Sequence, residues 1–227
     1  CDAASWLQGN RNAEQLAAYW DGCASSAERP LGKEVSFHRV AFYNVGWNET
    51  DKKRKPETLA ELVNTICRTK DVDAFGICEV FNISSNDTLR KEEVMKAILD
   101  KLNENSEGSE FWTGRTDVHY IFIWNNNALN LVHHEVIDCG IPEQAYRQAQ
   151  YFKFSSSLGE DELHIVHNHS PSSEVRKLTK QRRKDICSTC WNHVMKNTCA
   201  EQPAVVFGGD FNCSPIFWAL CFKDLFE

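Results

Sequence analysis

The chain has 227 residues, 42% hydrophobic, 25% charged and 11% aromatic, with a mean hydropathy of −0.47, which is ordinary globular usage. Its longest apolar runs, such as Tyr120–Trp124, are far too short to cross a bilayer as a helix. The 25 Lys and Arg against 32 Asp and Glu leave a net charge of −7, so the chain is no bulk polycation, and nucleic acid, if bound, must be held by a local patch.

In chain order, residues 1–34 are expected to form an N-terminal extension, helical in pattern around Trp6, Leu16 and Trp20, with no function assigned, and 35–227 to form one domain. Val40-Ala41-Phe42-Tyr43 is a buried-strand run that ends in the polar Asn44. Pro56 then opens a helix whose Leu59, Leu62, Val63 and Ile66 share a face. A second short apolar run, Asp73–Cys78, leads directly into Glu79, and strand, helix, strand at this spacing indicates a layered α/β or α+β domain. Residues 87–103 read as a helix capped by Asp87, with Val94, Ala97, Ile98 and Leu102 on one side. Strands follow at Tyr120–Trp124, Leu129–Ile137, Tyr151–Ser155 and Leu163–His167. Consecutive strands without helices between them require antiparallel hairpins, so the sheet is expected to be mixed. Glu174 to Asn197 is a long helical stretch, and Ala204–Phe207 is the last clear strand.

Ten cysteines are present, and several, including Cys67, Cys78, Cys213 and Cys221, sit inside apolar runs. There a free thiol behaves as a small buried hydrophobe, which favours reduced thiols and an intracellular setting. Cys187, Cys190, His193 and Cys199 are of zinc-ligand type. They continue a helical pattern in which Cys190 and Val194 share an apolar face, so packing is the expected role. The run Arg176–Lys184, including Arg182 and Arg183, is either a phosphate-contacting patch or a solvated helix face.

The chemistry is expected where strands end. Val205-Val206-Phe207-Gly208-Gly209-Asp210-Phe211-Asn212 breaks a strand at two glycines and presents a carboxylate and a carboxamide two residues apart. Asn44 and Glu79 end two other strands, and a fourth runs into His167-Asn168-His169. A carboxylate after so apolar a strand as Ala74–Cys78 is costly unless it is paired or binds a cation, and Mg²⁺ takes one or two carboxylates together with water and phosphate oxygens. Glu79 is therefore the expected metal ligand.

Five blocks taken together resemble the endonuclease/exonuclease/phosphatase superfamily: Ala41–Val45, Gly76–Val80, Arg147 before Tyr151–Phe154, Asn168–Ser172 and Gly208–Asn212. The resemblance implies a DNase I-like four-layer α/β sandwich with two mixed β-sheets. It implies Mg²⁺ (or Mn²⁺) held by Glu79 with Asn44 helping to position it. Asp210 would orient or deprotonate the attacking water, Asn212 and His169 would hold the phosphate, and Arg147 would support the phosphate or the carboxylates. The implied activity is hydrolysis of a phosphodiester in nucleic acid; the alternatives are a phosphoinositide phosphatase, a sphingomyelinase-type phospholipase, or a catalytically inactive interaction module. The sequence departs from the family's wording at Gly46-Trp47 and Ser170, and so lacks an acidic side chain beside the first block. The family's closing Ser-Asp-His block does not follow Asn212, so the expectation is a fold truncated at its C-terminus, with very low activity.

Overall fold

The computed structural model describes residues 38–46, 55–80, 88–104, 111–117, 120–140, 148–157, 162–169, 180–198 and 204–210. The elements run β1 (Val40–Asn44), α1 (Pro56–Lys70), β2 (Ala74–Cys78), α2 (Thr88–Asn103), β3 (Trp112–Asp117), β4 (Tyr120–Asn125), β5 (Leu129–Ile137), β6 (Ala149–Ser156), β7 (Glu162–His169), α3 (Lys180–Asn197) and β8 (Ala204–Asp210). The expected extension over 1–34, the Asp87 cap and the 174–179 start of the last helix lie outside the described residues.

Two four-stranded sheets result, β1-β2-β4-β3 and β5-β6-β7-β8. Each is mixed: β1 is parallel to β2 and β7 to β8, while the remaining neighbours are antiparallel. A strand alternates its side chains between two faces, and here that alternation sorts the apolar residues into three cores separating four layers. Phe75, Ile77, Ile121 and Ile123 face outward from the first sheet onto Leu59, Val63 and Cys67 of α1 and Val94, Ile98 and Leu102 of α2. Tyr151 and Val166 face outward from the second sheet onto Ile186, Cys190 and Val194 of α3. Between the sheets lie Ala74, Phe122, Trp124, Phe152, Phe154 and Ile165, with the Phe122 and Phe152 rings stacked at 4.2 Å.

Local chemistry explains the ends of α1. Pro56 stands in the first turn, Glu57 complements the positive end of the helix dipole, and Arg68 and Lys70 complement the negative end. Asp71 stops the helix in a left-handed conformation, and the Val72 N–H returns to the Cys67 carbonyl at 3.1 Å. β3 was not among the expected strands, since Trp112-Thr113-Gly114-Arg115-Thr116-Asp117 carries little apolar alternation. It is the edge of its sheet, where one neighbour suffices. The Asn103 side chain anchors it by bonding both the N–H and the carbonyl of Trp112, at 2.9 and 3.0 Å.

Candidate functional site

Parallel neighbours end on the same side, so β1 with β2 and β7 with β8 bring four strand ends to one end of the sandwich. β1 and β8 also face each other across the two sheets. On β1 the inward residues are Val40, Phe42 and Asn44, and on β8 they are Val206, Gly208 and Asp210. The last inward residue of each therefore meets its counterpart, and Asn44 Nδ2 donates to Asp210 Oδ2 at 2.6 Å across 166 residues of chain. The other side-chain atom of Asn44, Oδ1, accepts the Gly46 N–H at 2.8 Å. Both polar atoms of Asn44 are thus engaged in the protein, where they orient Asp210 and the turn after β1.

Gly46 takes the left-handed conformation, φ +59°, which suits glycine better than the acidic residue expected from the resemblance. A side chain there would point toward Glu79, whose Oε2 lies 3.8 Å from where its Cβ would be.

Glu79 itself holds φ at +56°, a left-handed backbone that few non-glycine residues adopt and that concentrates at functional sites. Its side chain is about one-third exposed, and Oε1 lies 3.1 Å from Nε2 of the buried His169. The His169 backbone N–H donates to the Tyr120 hydroxyl at 3.0 Å. Tyr120 stands opposite Cys78 in β4, so this bond ties the end of β7 to the other sheet directly beneath Glu79.

β7 and β8 run further than expected, through His169 and Asp210, because their parallel pairing continues to the His169↔Asp210 register. The two glycines therefore lie inside a strand. A Cβ on Gly208 would overlap the Phe42 ring, and one on Gly209, whose φ is +124°, would overlap the Asn168 carbonyl. They let β8 pass close enough to β1 for Asp210 to reach Asn44.

Beneath this group His167 is wholly buried, with its ring 4.8 Å from Tyr120, 5.2 Å from Phe42 and 5.9 Å from Phe122. Neither ring nitrogen has a hydrogen-bond partner among the described residues, and burial, with His169 nearby, pushes its pKa down to about 3. It is a neutral imidazole packed as an aromatic. Sequence reading placed it at a strand end without this role; strand alternation, which puts 163, 165, 167 and 169 on one face, was the signal available.

The structure thus unites four of the expected site residues, Asn44, Glu79, His169 and Asp210, and adds Tyr120 as their support. Arg147 and Asn212 lie outside the described residues, as does the side chain of Arg183. Arg182 reaches back to donate to the Gly140 carbonyl, so this guanidinium is engaged with its own fold. Cys187 and Cys190 are buried on α3, and His193 Nε2 lies 2.5 Å from Glu135 Oε1.

The donors at the strand ends are hard oxygens, with one partly exposed carboxylate in Glu79 and a second in Asp210. That matches a Mg²⁺-type ion, which retains water and substrate oxygens among its ligands. No three His, Cys, Asp or Glu side chains among the described residues are grouped to enclose a metal.

No family model and no curated protein matches the sequence. Solved structures do match. A mannosyl-6-phosphatase from Bacteroides thetaiotaomicron superposes with a TM-score of 0.60 at 12% identity, covering 83% of this chain and 71% of the other. An endonuclease/exonuclease/phosphatase from Bacteroides vulgatus gives 0.56 at 14%, covering 82% and 70%. TDP2 from D. rerio, in complex with a single-strand DNA product, gives 0.53 at 13%, covering 80% of this chain and 63% of that protein. At these identities the likeness speaks for architecture, and it agrees with the two mixed sheets and their flanking helices: the chain has the DNase I-like fold.

Proposed function

We propose that the chain is a divalent-metal-dependent phosphoesterase whose substrate is a phosphodiester in nucleic acid. The observation that carries this reading is the convergence of Asn44, Glu79, His169 and Asp210 from four strand ends on one end of the sandwich. Glu79 would hold Mg²⁺ or Mn²⁺, and the ion, when bound, would offset negative charge on phosphate oxygens. Asn44 fixes the Asp210 carboxylate through its amide hydrogen, leaving Asp210 to orient the attacking water and take its proton. His169, whose Nε2 lies 3.1 Å from the Glu79 carboxylate, would with Asn212 face the phosphate as charge develops on its oxygens. Arg147 supports the phosphate or the carboxylates.

Nucleic acid is favoured as substrate by the TDP2 structure, which holds a DNA product; because a mannosyl-6-phosphatase has the same fold and one fold hosts several substrates, phosphoinositides and sphingomyelin are included in the same assay. The test is single-turnover hydrolysis with protein in excess over labelled single-stranded DNA, plasmid and the two lipids, in Mg²⁺ or EDTA. The expected result is Mg²⁺-dependent cleavage of DNA that falls by about 100-fold or more in Asp210→Asn, with an unchanged circular dichroism spectrum. An unaltered rate in that variant removes Asp210 from the mechanism. Preferential lipid cleavage moves the substrate class, and absence of turnover on every substrate favours an inactive interaction module.

A further inference from the structure

Away from the strand-end site, two buried thiols face each other between separate elements. Cys139 follows the end of β5, Cys190 lies on the inner face of α3, and their sulfurs are 3.8 Å apart across 51 residues of sequence. Both side chains are almost wholly enclosed, and both belong to the core that joins α3 to the second sheet. A third thiol, Cys187, is buried one turn earlier on the same helix. A disulfide needs its sulfurs at about 2.05 Å, so closure requires an approach of under 2 Å between groups already pointed at each other.

The surroundings hold Cys139 in place. Its N–H donates to Gln148 Oε1 at 2.5 Å, Gln148 Nε2 donates to Asp138 Oδ1 at 3.0 Å, and the Gly140 N–H donates to the same Asp138 oxygen at 2.7 Å. Arg182 of α3 binds the Gly140 carbonyl from the other side. The end of β5 is therefore fastened to the start of β6 through Gln148 and to α3 through Arg182, so a covalent link would lock an existing arrangement without creating a new one.

We infer that Cys139 and Cys190 form an oxidation site at which a disulfide clamps α3 onto the second sheet. The oxidant is a small disulfide of the glutathione class. The Cys139 thiolate attacks one sulfur of the oxidant, whose S–S bond breaks and releases one glutathione thiolate. The Cys190 thiolate then attacks the Cys139 sulfur of the mixed disulfide, forms the Cys139–Cys190 bond and releases the second glutathione. Two protein thiols are oxidised, one disulfide is reduced to two thiols, and the two protons lost by the cysteines pass to the released thiolates. Cys139 is the first nucleophile because it lies at a strand end that opens more readily than a helix interior. The contact with Cys190 also favours its thiolate, lowering the Cys139 pKa and raising that of Cys190.

The experiment equilibrates the native full chain with glutathione disulfide and, separately, with excess reduced glutathione, blocks free thiols, and maps the linkages by mass spectrometry of a non-reducing digest. Thermal unfolding of the two forms is followed alongside. The expected result is a Cys139–Cys190 cross-linked peptide in the oxidised form and a midpoint raised by roughly 5–15 °C. Cys190→Ser should abolish both, and Cys187→Ser should leave both in place. Recovery of Cys187–Cys190 as the dominant link, or of Cys139 and Cys190 both still free after equilibration, overturns the inference. The peptide map is made on the unsubstituted chain, so the outcome does not depend on whether either variant folds.

Discussion

His167 makes the acid stability of this fold a quantitative question. It is wholly buried, carries no hydrogen bond among the described residues, and has its pKa lowered from 6.5 to about 3. In the unfolded chain the imidazole takes a proton as pH falls through 6.5; in the folded chain it does not until about 3. The unfolded state therefore binds more protons throughout that window, and stability that is full above pH 6.5 is lost progressively as pH falls toward 3. At 1.36 kcal/mol per unit the ceiling is about 5 kcal/mol, and the share lost between pH 7 and pH 4.5 is about 2.5 kcal/mol. Burial likewise depresses His134, His164 and His193, and native carboxylates titrate in the same range, so the wild-type loss alone does not isolate His167. The comparison with His167→Met does. Methionine is close in volume, adapts to an irregular apolar site and does not titrate, while the other groups contribute to both proteins and cancel. Urea unfolding at pH 7 and pH 4.5, followed by tryptophan fluorescence, should show the variant losing about 2.5 kcal/mol less than wild type over that interval. Losses equal within about 0.5 kcal/mol would refute the reasoning and mean that the native imidazole takes up a proton in place.

Three other substitutions test the architecture of the site. Gly208→Ala drives a methyl into the Phe42 ring and should cost roughly 1–3 kcal/mol; in the Phe42→Leu background the cost should shrink by at least about 0.5 kcal/mol, and additive losses in urea titrations would place the strain elsewhere. Tyr120→Phe removes the acceptor of the His169 N–H and should lower stability by about 1–3 kcal/mol, with faster exchange of the His169 amide in hydrogen-exchange mass spectrometry; undisturbed exchange would show that the inter-sheet bond is dispensable. Asn44→Asp sets a second carboxylate against Asp210 and should lower the thermal midpoint at pH 8 more than at pH 4, since protonation relieves the repulsion; a pH-independent loss would mean that charge is not the cause.

Much of this protein is readable from local pattern. Pro56 with Leu59 and Val63 marked α1, the runs Val40–Tyr43 and Ala74–Cys78 marked buried strands, and consecutive strands between Trp112 and Asn168 indicated a mixed sheet. These follow from chain periodicity and punctuation, which act within a few residues. The polar strand ends Asn44 and Glu79 were legible for the same reason, because a polar residue directly after an apolar run stands out locally. The tertiary structure decided what those ends do. That Asn44 holds Asp210, that His169 comes to lie beside Glu79, and that Tyr120 fastens His169 depend on which strands become neighbours across two sheets. Gly208-Gly209 looked like a break and is a continuous strand, since the need for bare backbone there comes from Phe42 and Asn168, residues far away along the chain. β3 carries no clear local signal because an edge strand needs little apolar character of its own. Local sequence specifies which face of an element is apolar; close approach between distant segments is set only when those faces are packed together.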